Sequence, residues 1–304
     1  MVHEMRDLKH DAYICYYPFS EHHECPDAYK YYDAPQTDIE DHEQDIVILP
    51  EVATPLIKCF RKTRVAIWWL SVDNYYFRQG NSWIVDAINK LRTLYRGRVP
   101  IFRLRQYLHF TQSAYAHAFL QKHGINSMML TDYLSAEHLK KNMSMDAREN
   151  IIAYNPAKGQ LTTKRLIASC PDFEFIPIHA MTKADVADLL RRTKIYIDFG
   201  HHPGKDRLPR EAAAAGCCVI TGIQGSARND EDIPIPRKYK LHDDKKVNVN
   251  KFRKTVTSIF DDFESHTADF NTYRAQIQAG QEVLRSQAND IFGDPEEKTR
   301  PAYS

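Results

Sequence analysis

Residues 195–227 read IYIDFGHHPGKDRLPREAAAAGCCVITGIQGSA, and the rest of the chain is read outward from them. Ile195 to Phe199 is an apolar run of strand type, followed by a polar loop, Gly200 to Asp206, that holds two glycines. Leu208 to Ala215 has helical composition, with Pro209 in the first turn, where a missing N–H costs nothing. Gly216 suits the left-handed position just past the helix end, and Cys217 to Thr221 is a second buried-strand run. A further small-residue loop, Gly222 to Ala227, closes the stretch. Strand, loop, helix and strand in this order make a βαβ unit with parallel strands.

Ligands in such sheets sit at the carboxyl ends of the strands. Here that end carries His201, His202, Lys205, Arg207 and Arg210 beside a helix N-terminus. Free N–H groups, the helix dipole and several cations together make an anion site, most naturally for phosphate. Glu211 is an acidic residue at the helix end of the basic cluster. It suits hydroxyl groups such as those of a ribose, or else it pairs with a neighbouring cation.

The run from Arg210 to Thr221, REAAAAGCCVIT, resembles the donor-binding segment of GT-B glycosyltransferases, most of all the retaining, family-4-like group. In that group a Glu opens a helix of the type Glu-Ala-x-Ala-x-Gly and binds the donor ribose; the resemblance gives that role to Glu211. The group usually carries a second Glu eight residues earlier, over the sugar, where this chain has Pro203. That departure leaves the sugar-binding mode and the stereochemical course open. His202-Pro203 is also similar to the His-Pro motif of CMP-sugar-using GT-B enzymes, so UDP, GDP and CMP all stand as candidate bases.

The chain has 304 residues, 43% of them hydrophobic, enough for two domains of about 150 residues, each with its own core. Its 41 basic and 40 acidic residues leave a net charge of +1, which argues against a nucleic-acid binder. No apolar run approaches the ~20 residues of a membrane span, and the N-terminal residues lack a signal-peptide core. A cytoplasmic protein, or one peripheral at the membrane, is expected. The six cysteines, at 15, 25, 59, 170, 217 and 218, form no Cys-x-x-Cys pair, so neither a zinc site nor a disulfide framework is expected. Tyr is frequent, at 17 residues, with many near the N-terminus; that richness fits sugar contacts as well as core packing.

In the first half, strands are expected at 12–17, 45–50, 64–70, 99–104 and 128–130, with helices at 52–62, 82–96 and 115–122. This alternation predicts a Rossmann-like, doubly wound domain. No Gly-x-Gly-x-x-Gly motif follows any of these strands, which weakens a dinucleotide reading. Glu51, Asp73 and Asp132 follow strand ends, where a catalytic group or an ordinary capping acid would sit. Ser113 is the expected cap of the next helix, with Gln112 facing the cleft. The cluster Glu21-His-His-Glu-Cys25 has metal-binding residue types but no ligand spacing on one helix face, and reads as a solvated loop.

In the second half, a strand over 148–154 leads through Asn155-Pro-Ala-Lys-Gly159 into a helix over 160–169, a second phosphate-type loop. The resemblance places Lys158 on the donor diphosphate. A strand over 173–178 and a Thr182-capped helix over 183–192 follow, and in the GT-B pattern the base rests near Ile178 and Met181. Residues 228–249 read as an excursion around the domain edge, and helical patterns span 250–266 and 268–292.

The expected fold is α/β and GT-B: two Rossmann-like, doubly wound domains, 1–147 for the acceptor and 148–292 for the donor, facing across a cleft. The final helix crosses back onto the first domain, and 293–304 form a polar tail. The implied activity is transfer of a sugar from a nucleotide-sugar donor to a saccharide or glycolipid acceptor, in synthesis of a bacterial surface polysaccharide. The nucleotide-sugar is a co-substrate; no cofactor and no metal are expected, since Asp-x-Asp is absent. Lys205, Arg210 and Asp73 are the expected catalytic groups. Glu211, Lys158, Arg207, His202, Gly204, Ile178 and Met181 are the expected donor contacts. The alternative is a non-catalytic GT-B-like module that binds a nucleotide or a glycan.

Overall fold

The computed structural model describes residues 1–21, 23–75, 88–89, 91–92, 95–135, 148–243 and 247–293. Two four-stranded sheets, each parallel throughout, organise them. The first runs in the order β1 (Ile46–Pro50), β2 (Arg64–Trp69), β3 (Leu108–Thr111), β4 (Met128–Met129). The second has the order β6-β5-β7-β8, with β5 Glu149–Tyr154, β6 Glu174–Pro177, β7 Thr193–Asp198 and β8 Cys218–Thr221.

The central strands are covered on both faces, which is why they read as unbroken apolar runs rather than alternating ones. Val65, Ile67 and Trp69 of β2 face one core with Leu104 and Leu120, while Ala66 faces another with Phe110 and Leu130. Ile195, Tyr196 and Ile197 of β7 are all fully buried.

Helices α1 (Val2–Asp7), α2 (Val72–Tyr75), α3 (Ile101–Leu104) and α4 (Ala114–Lys122) belong to the first half. α5 (Gln160–Ser169), α6 (Lys183–Arg192) and α7 (Arg207–Ala214) surround the second sheet. α7 ends as its sequence requires: Gly216 has φ +97, its N–H donates to the Ala213 carbonyl at 3.0 Å, and the Cys217 N–H donates to Ala212 at 2.9 Å. The expected cap at Thr182 forms, reciprocally with Asp185.

Several expectations change. Residues 12–17 do not form a strand; Ile14 alone bridges to Gln36, and Tyr13 and Tyr17 are exposed. The strand expected over 99–104 is α3. Pro100 has no N–H for a ladder and sits at the helix N-cap, so the ladder with β2 starts later, pairing Ala66 with Leu108. The helix over 52–62 is instead 3-10 turns, Glu51–Cys59, with Pro55 inside. Most of the helix expected over 82–96 lies outside the described residues. Within the described part, Ile88 and Leu91 are exposed. The polar tail from 294 on and residues 244–246 of the excursion also lie outside them.

The last two helical patterns resolve into α8 (Val249–Asp261), α9 (Phe263–Ala268), α10 (Asn271–Gln278) and α11 (Gly280–Phe292). α11 does cross back. Leu284 and Ala288 are buried with Met5, Ala66, Phe110 and Leu130, and Arg285 pairs with Glu4 at 2.5 Å and Asp7 at 2.9 Å. Among the described residues, no helix is long and apolar enough to cross a membrane.

Candidate functional site

The loops that follow β5 and β7 touch at two glycines. Gly159 (φ +61) and Gly200 (φ +95) both lie in the left-handed region, and a Cβ on Gly159 would sit 2.3 Å from the Phe199 carbonyl oxygen. Only glycine permits that approach. It brings Lys158 over the end of β7, where its Nζ lies 3.1 Å from Asp198 Oδ1 and 3.4 Å from His202 Nδ1, and pairs with Asp206. His202 is fully buried; its Nδ1 lies 2.9 Å from Asp206 and its Nε2 is 3.2 Å from the Asp198 carbonyl oxygen. Tyr196 donates its hydroxyl to the other oxygen of Asp198 at 3.0 Å.

The two carboxylates of this cluster respond differently. Burial pushes the Asp198 carboxyl up, against the opposing charges of Lys158 and His202. Burial also opposes ionisation of Asp206, yet the His202 hydrogen bond and the Lys158 charge outweigh it and hold that carboxyl below its ordinary range. Asp198, His202 and Asp206 have residue types that can bind a cation, with donor atoms within 4.8 Å of one another. The Lys158 ammonium stands among them as the countercharge. Lys158, expected on a donor diphosphate, is therefore held by two carboxylates of its own chain.

The expected catalytic cations lie where the two halves of the chain meet. Lys205 donates to Thr131 Oγ1 at 2.7 Å. Arg210 is buried and forms a two-pronged pair with Asp132, at 2.8 and 2.7 Å, while also donating to the Lys205 and Asp206 carbonyls at 3.0 and 3.2 Å. Burial, and then the neighbouring Arg210 charge, lower the Lys205 ammonium from its ordinary value. Gly204 is needed for this contact, because a Cβ there would lie 2.1 Å from the Leu70 carbonyl oxygen and 3.5 Å from Gln112 Oε1. Gln112 thus faces the other half, as expected, and Ser113 caps α4 by accepting the Ala116 N–H at 3.1 Å.

Asp73 is in the same seam. Its carboxylate meets His201 Nε2 at 2.5 Å and accepts from the Tyr115 hydroxyl at 3.4 Å. The hydrogen bond to Asp73 raises His201 above its ordinary value, with burial opposing. Glu51 has a structural place: it is buried and accepts the Leu70 N–H at 3.0 Å.

Glu211, Arg207 and Met181 come together elsewhere, in a groove of about 240 Å³ between α6 and α7. Glu211 is almost wholly buried and pairs with Arg207, one helical turn earlier. Lys183, Val186, Arg191 and Leu208 are also among the residues of its wall. Ile178 does not line this groove; it packs against the core of the second sheet, with its N–H on the Tyr154 carbonyl at 2.8 Å.

Sequence reasoning missed the partners rather than the residues. Nothing in the pattern pairs Lys158 with Asp198 and Asp206, or His201 with Asp73. Asp232, in the irregular excursion, was also missed; its carboxylate accepts the N–H groups of Ala114 and Tyr115 at 2.8 and 2.9 Å and so seats the α4 N-terminus on the second half. Of the cluster at 21–25, the described residues, 21 and 23–25, form neither helix nor strand, and His23 is bonded to the Pro18 carbonyl at 2.9 Å.

A scan against protein-family models and a search of curated proteins find no match. Solved structures do match. A sucrose-phosphate synthase from Thermosynechococcus elongatus aligns over 87% of this chain and 74% of its own, with a TM-score of 0.61 at 12% identity. A glycosyltransferase from Rickettsia africae aligns over 99% and 93%, with a TM-score of 0.60 at 11% identity. HepE of Anabaena, in complex with UDP, aligns over 87% of each chain, with a TM-score of 0.61 at 10% identity.

The chain has the GT-B fold. Its two sheets are the two Rossmann-like halves of that fold, and α11 is the helix that returns to the first. In GT-B terms the loops after β5 and β7, together with the start of α7, lie at the carboxyl ends of the second sheet. The Lys205, Arg210 and Asp73 contacts join that sheet's loops to the first half.

Proposed function

We propose that this chain transfers a sugar from a nucleotide-sugar donor to a saccharide or glycolipid acceptor. The observation that carries the reading is the α6–α7 groove, where Glu211, Arg207 and Met181 meet. Glu211 is suited to ribose hydroxyls, and Met181 to the flat face of a base. Two structures of Anabaena HepE, a protein of the same fold, contain UDP and UDP-glucose. Residues 1–147 form the acceptor domain in this reading and 148–292 the donor domain, with 293–304 as a tail.

Departure of the nucleotide builds negative charge on its phosphate. The α7 N-terminus and Arg207 face that charge, and Lys158 and Lys205 exchange their present oxygen partners for phosphate oxygens as the donor enters. Gly204 and His202 hold the loop that presents those amides. Arg210 positions the same loop by holding Asp132. The acceptor hydroxyl attacks the anomeric carbon, its proton passes to the Asp73–His201 pair, and the bond to the nucleotide phosphate breaks. Basic side chains do the work a divalent metal would do. The setting we propose is cytoplasmic, or peripheral at the membrane, in synthesis of a bacterial surface polysaccharide.

Titration calorimetry with UDP, GDP and CMP tests the donor site. One of them binds, and Glu211→Ala weakens it at least tenfold, the loss of about 1.4 kcal/mol that a buried hydrogen-bonded carboxylate supplies. If no nucleotide binds, the donor site is not where we place it. A second reading, a non-catalytic binding module of the same fold, is favoured by two observations: Lys158, Lys205 and Arg210 all have protein partners, and Pro203 stands where a second Glu is expected. Nucleotide binding without release of nucleoside phosphate from any nucleotide-sugar, with acceptor saccharides present, would decide for the module.

A further inference from the structure

The N-terminal segment, which contributes no strand among its described residues, lines a second, open-mouthed cavity of about 400 Å³ against the first sheet. Its walls include Tyr16, Tyr29, Tyr32, Trp68 and Tyr133, with Asp132 among the polar groups. Two of these rings are held by their polar ends: Trp68 Nε1 donates to the Leu130 carbonyl at 2.8 Å, and the Tyr133 hydroxyl donates to Glu4 at 2.5 Å. Their faces are thus fixed before any ligand arrives.

The charge of the surroundings narrows the occupant. Between residues 11 and 45 the chain has ten acidic residues, one lysine and six tyrosines. No lysine or arginine is among the residues that line the cavity, and Asp132 is. Met1 and His3 also line it, but burial lowers the Met1 α-ammonium from its ordinary value and Glu4 and Asp132 lie beside it, so a phosphate, a uronate or an anionic lipid headgroup would find little opposing charge. A pyranose ring has the opposite needs: its C–H face is apolar and lies flat on an aromatic ring, while its hydroxyl rim donates to a carboxylate. Aromatic walls with few convergent polar groups are the general form of such a pocket.

The cavity also shares residues with the seam described above. Thr131 and Asp132 line it, and the same two residues hold Lys205 and Arg210. We propose that this cavity is a subsite for an uncharged pyranose ring of the acceptor, built by the tyrosines of the N-terminal segment. The proposal rests on the transfer reading for the word acceptor, but the binding of the sugar can be tested without it.

Saturation-transfer NMR on the full chain, with and without UDP, reads the binding of methyl glycosides of glucose, galactose, mannose, N-acetylglucosamine and glucuronic acid. At least one neutral glycoside binds, and the glucuronide binds at least tenfold more weakly. Tyr29 is 59% exposed, so Tyr29→Ala keeps the fold and weakens the neutral sugar threefold to tenfold, the range for loss of one ring contact. Ala34→Trp, which fills the cavity, abolishes binding, and both variants bind UDP as the parent does. Absence of binding by every neutral glycoside, indifference to both substitutions, or preference for the glucuronide overturns the proposal. Sugar binding that survives while UDP fails to bind supports the subsite and sinks the donor reading instead.

Discussion

At the scale of single residues, the site is a set of charges that the fold has paired. Glu211 was legible because a carboxylate just after a run of cations, at the start of an alanine-rich helix, has few ordinary explanations. His201 was legible only as one of two adjacent histidines; its partner Asp73 is 128 positions away by residue number and no local pattern links them. The pair has a pH signature. His201 donates a hydrogen bond to Asp73 once folded, so its native value lies above its unfolded value near 6.5. The stabilisation is complete below that unfolded value and is lost as pH rises through the raised native one. The melting temperature of the parent therefore falls relative to that of His201→Gln as pH increases through the range just above 6.5. Parallel pH profiles of the two proteins would show that the pair contributes nothing to stability.

At the scale of elements, local rules succeeded where the chain's own neighbours satisfy the backbone. α7 stops at Gly216, α6 starts at Thr182 and α4 starts at Ser113, each because one side chain or one glycine answers the orphan groups of a helix end. The failures at 12–17 and 99–104 share a cause: an apolar or aromatic run becomes a strand only if an open ladder is available beside it. Residues 12–17 find no partner strand, and Pro100 turns 99–104 aside before they reach β2. The Ser113 cap provides a test at this scale. Ser113 is buried, and Ser113→Ala lowers stability by about 1 kcal/mol, read as the urea midpoint, whereas Ser113→Gly costs only a few tenths. Equal losses for the two would point to lost packing rather than a lost cap.

At the scale of the whole molecule, the second half is fastened to the first by polar contacts around one seam and by one returning helix. Asp132 with Arg210, Thr131 with Lys205, Asp73 with His201 and Asp232 with the α4 N-terminus all cross it. Arg210 is the most buried cation among these pairs, at 4% exposure, while Asp132 retains 30% and can rehydrate when left alone. Arg210→Met therefore costs about 2 kcal/mol, less than the 3–5 kcal/mol of a fully buried pair, and leaves Asp132 without its two-pronged partner. The loss is read as the urea midpoint. Because the same side chain orders the 205–206 loop, the substitution also weakens nucleotide binding; an Arg210→Met protein with unchanged nucleotide affinity would separate the seam from the donor site.

The return of the last helix is what the GT-B resemblance implied; the residues themselves determined much of the alternation of strands and helices, the ends of α4, α6 and α7, and the stretch that carries the groove around Glu211. These follow from periodicity, caps and glycines, all of which act over a few residues. Tertiary structure alone decided which charges are countered. Lys158, Lys205 and Arg210 each read as cations at phosphate-type loops, yet each finds an oxygen partner that only packing brings within 3.1 Å. A buried charge needs a partner wherever the fold can supply one, and the supplier is set by the approach of two sheets, not by neighbours in the chain.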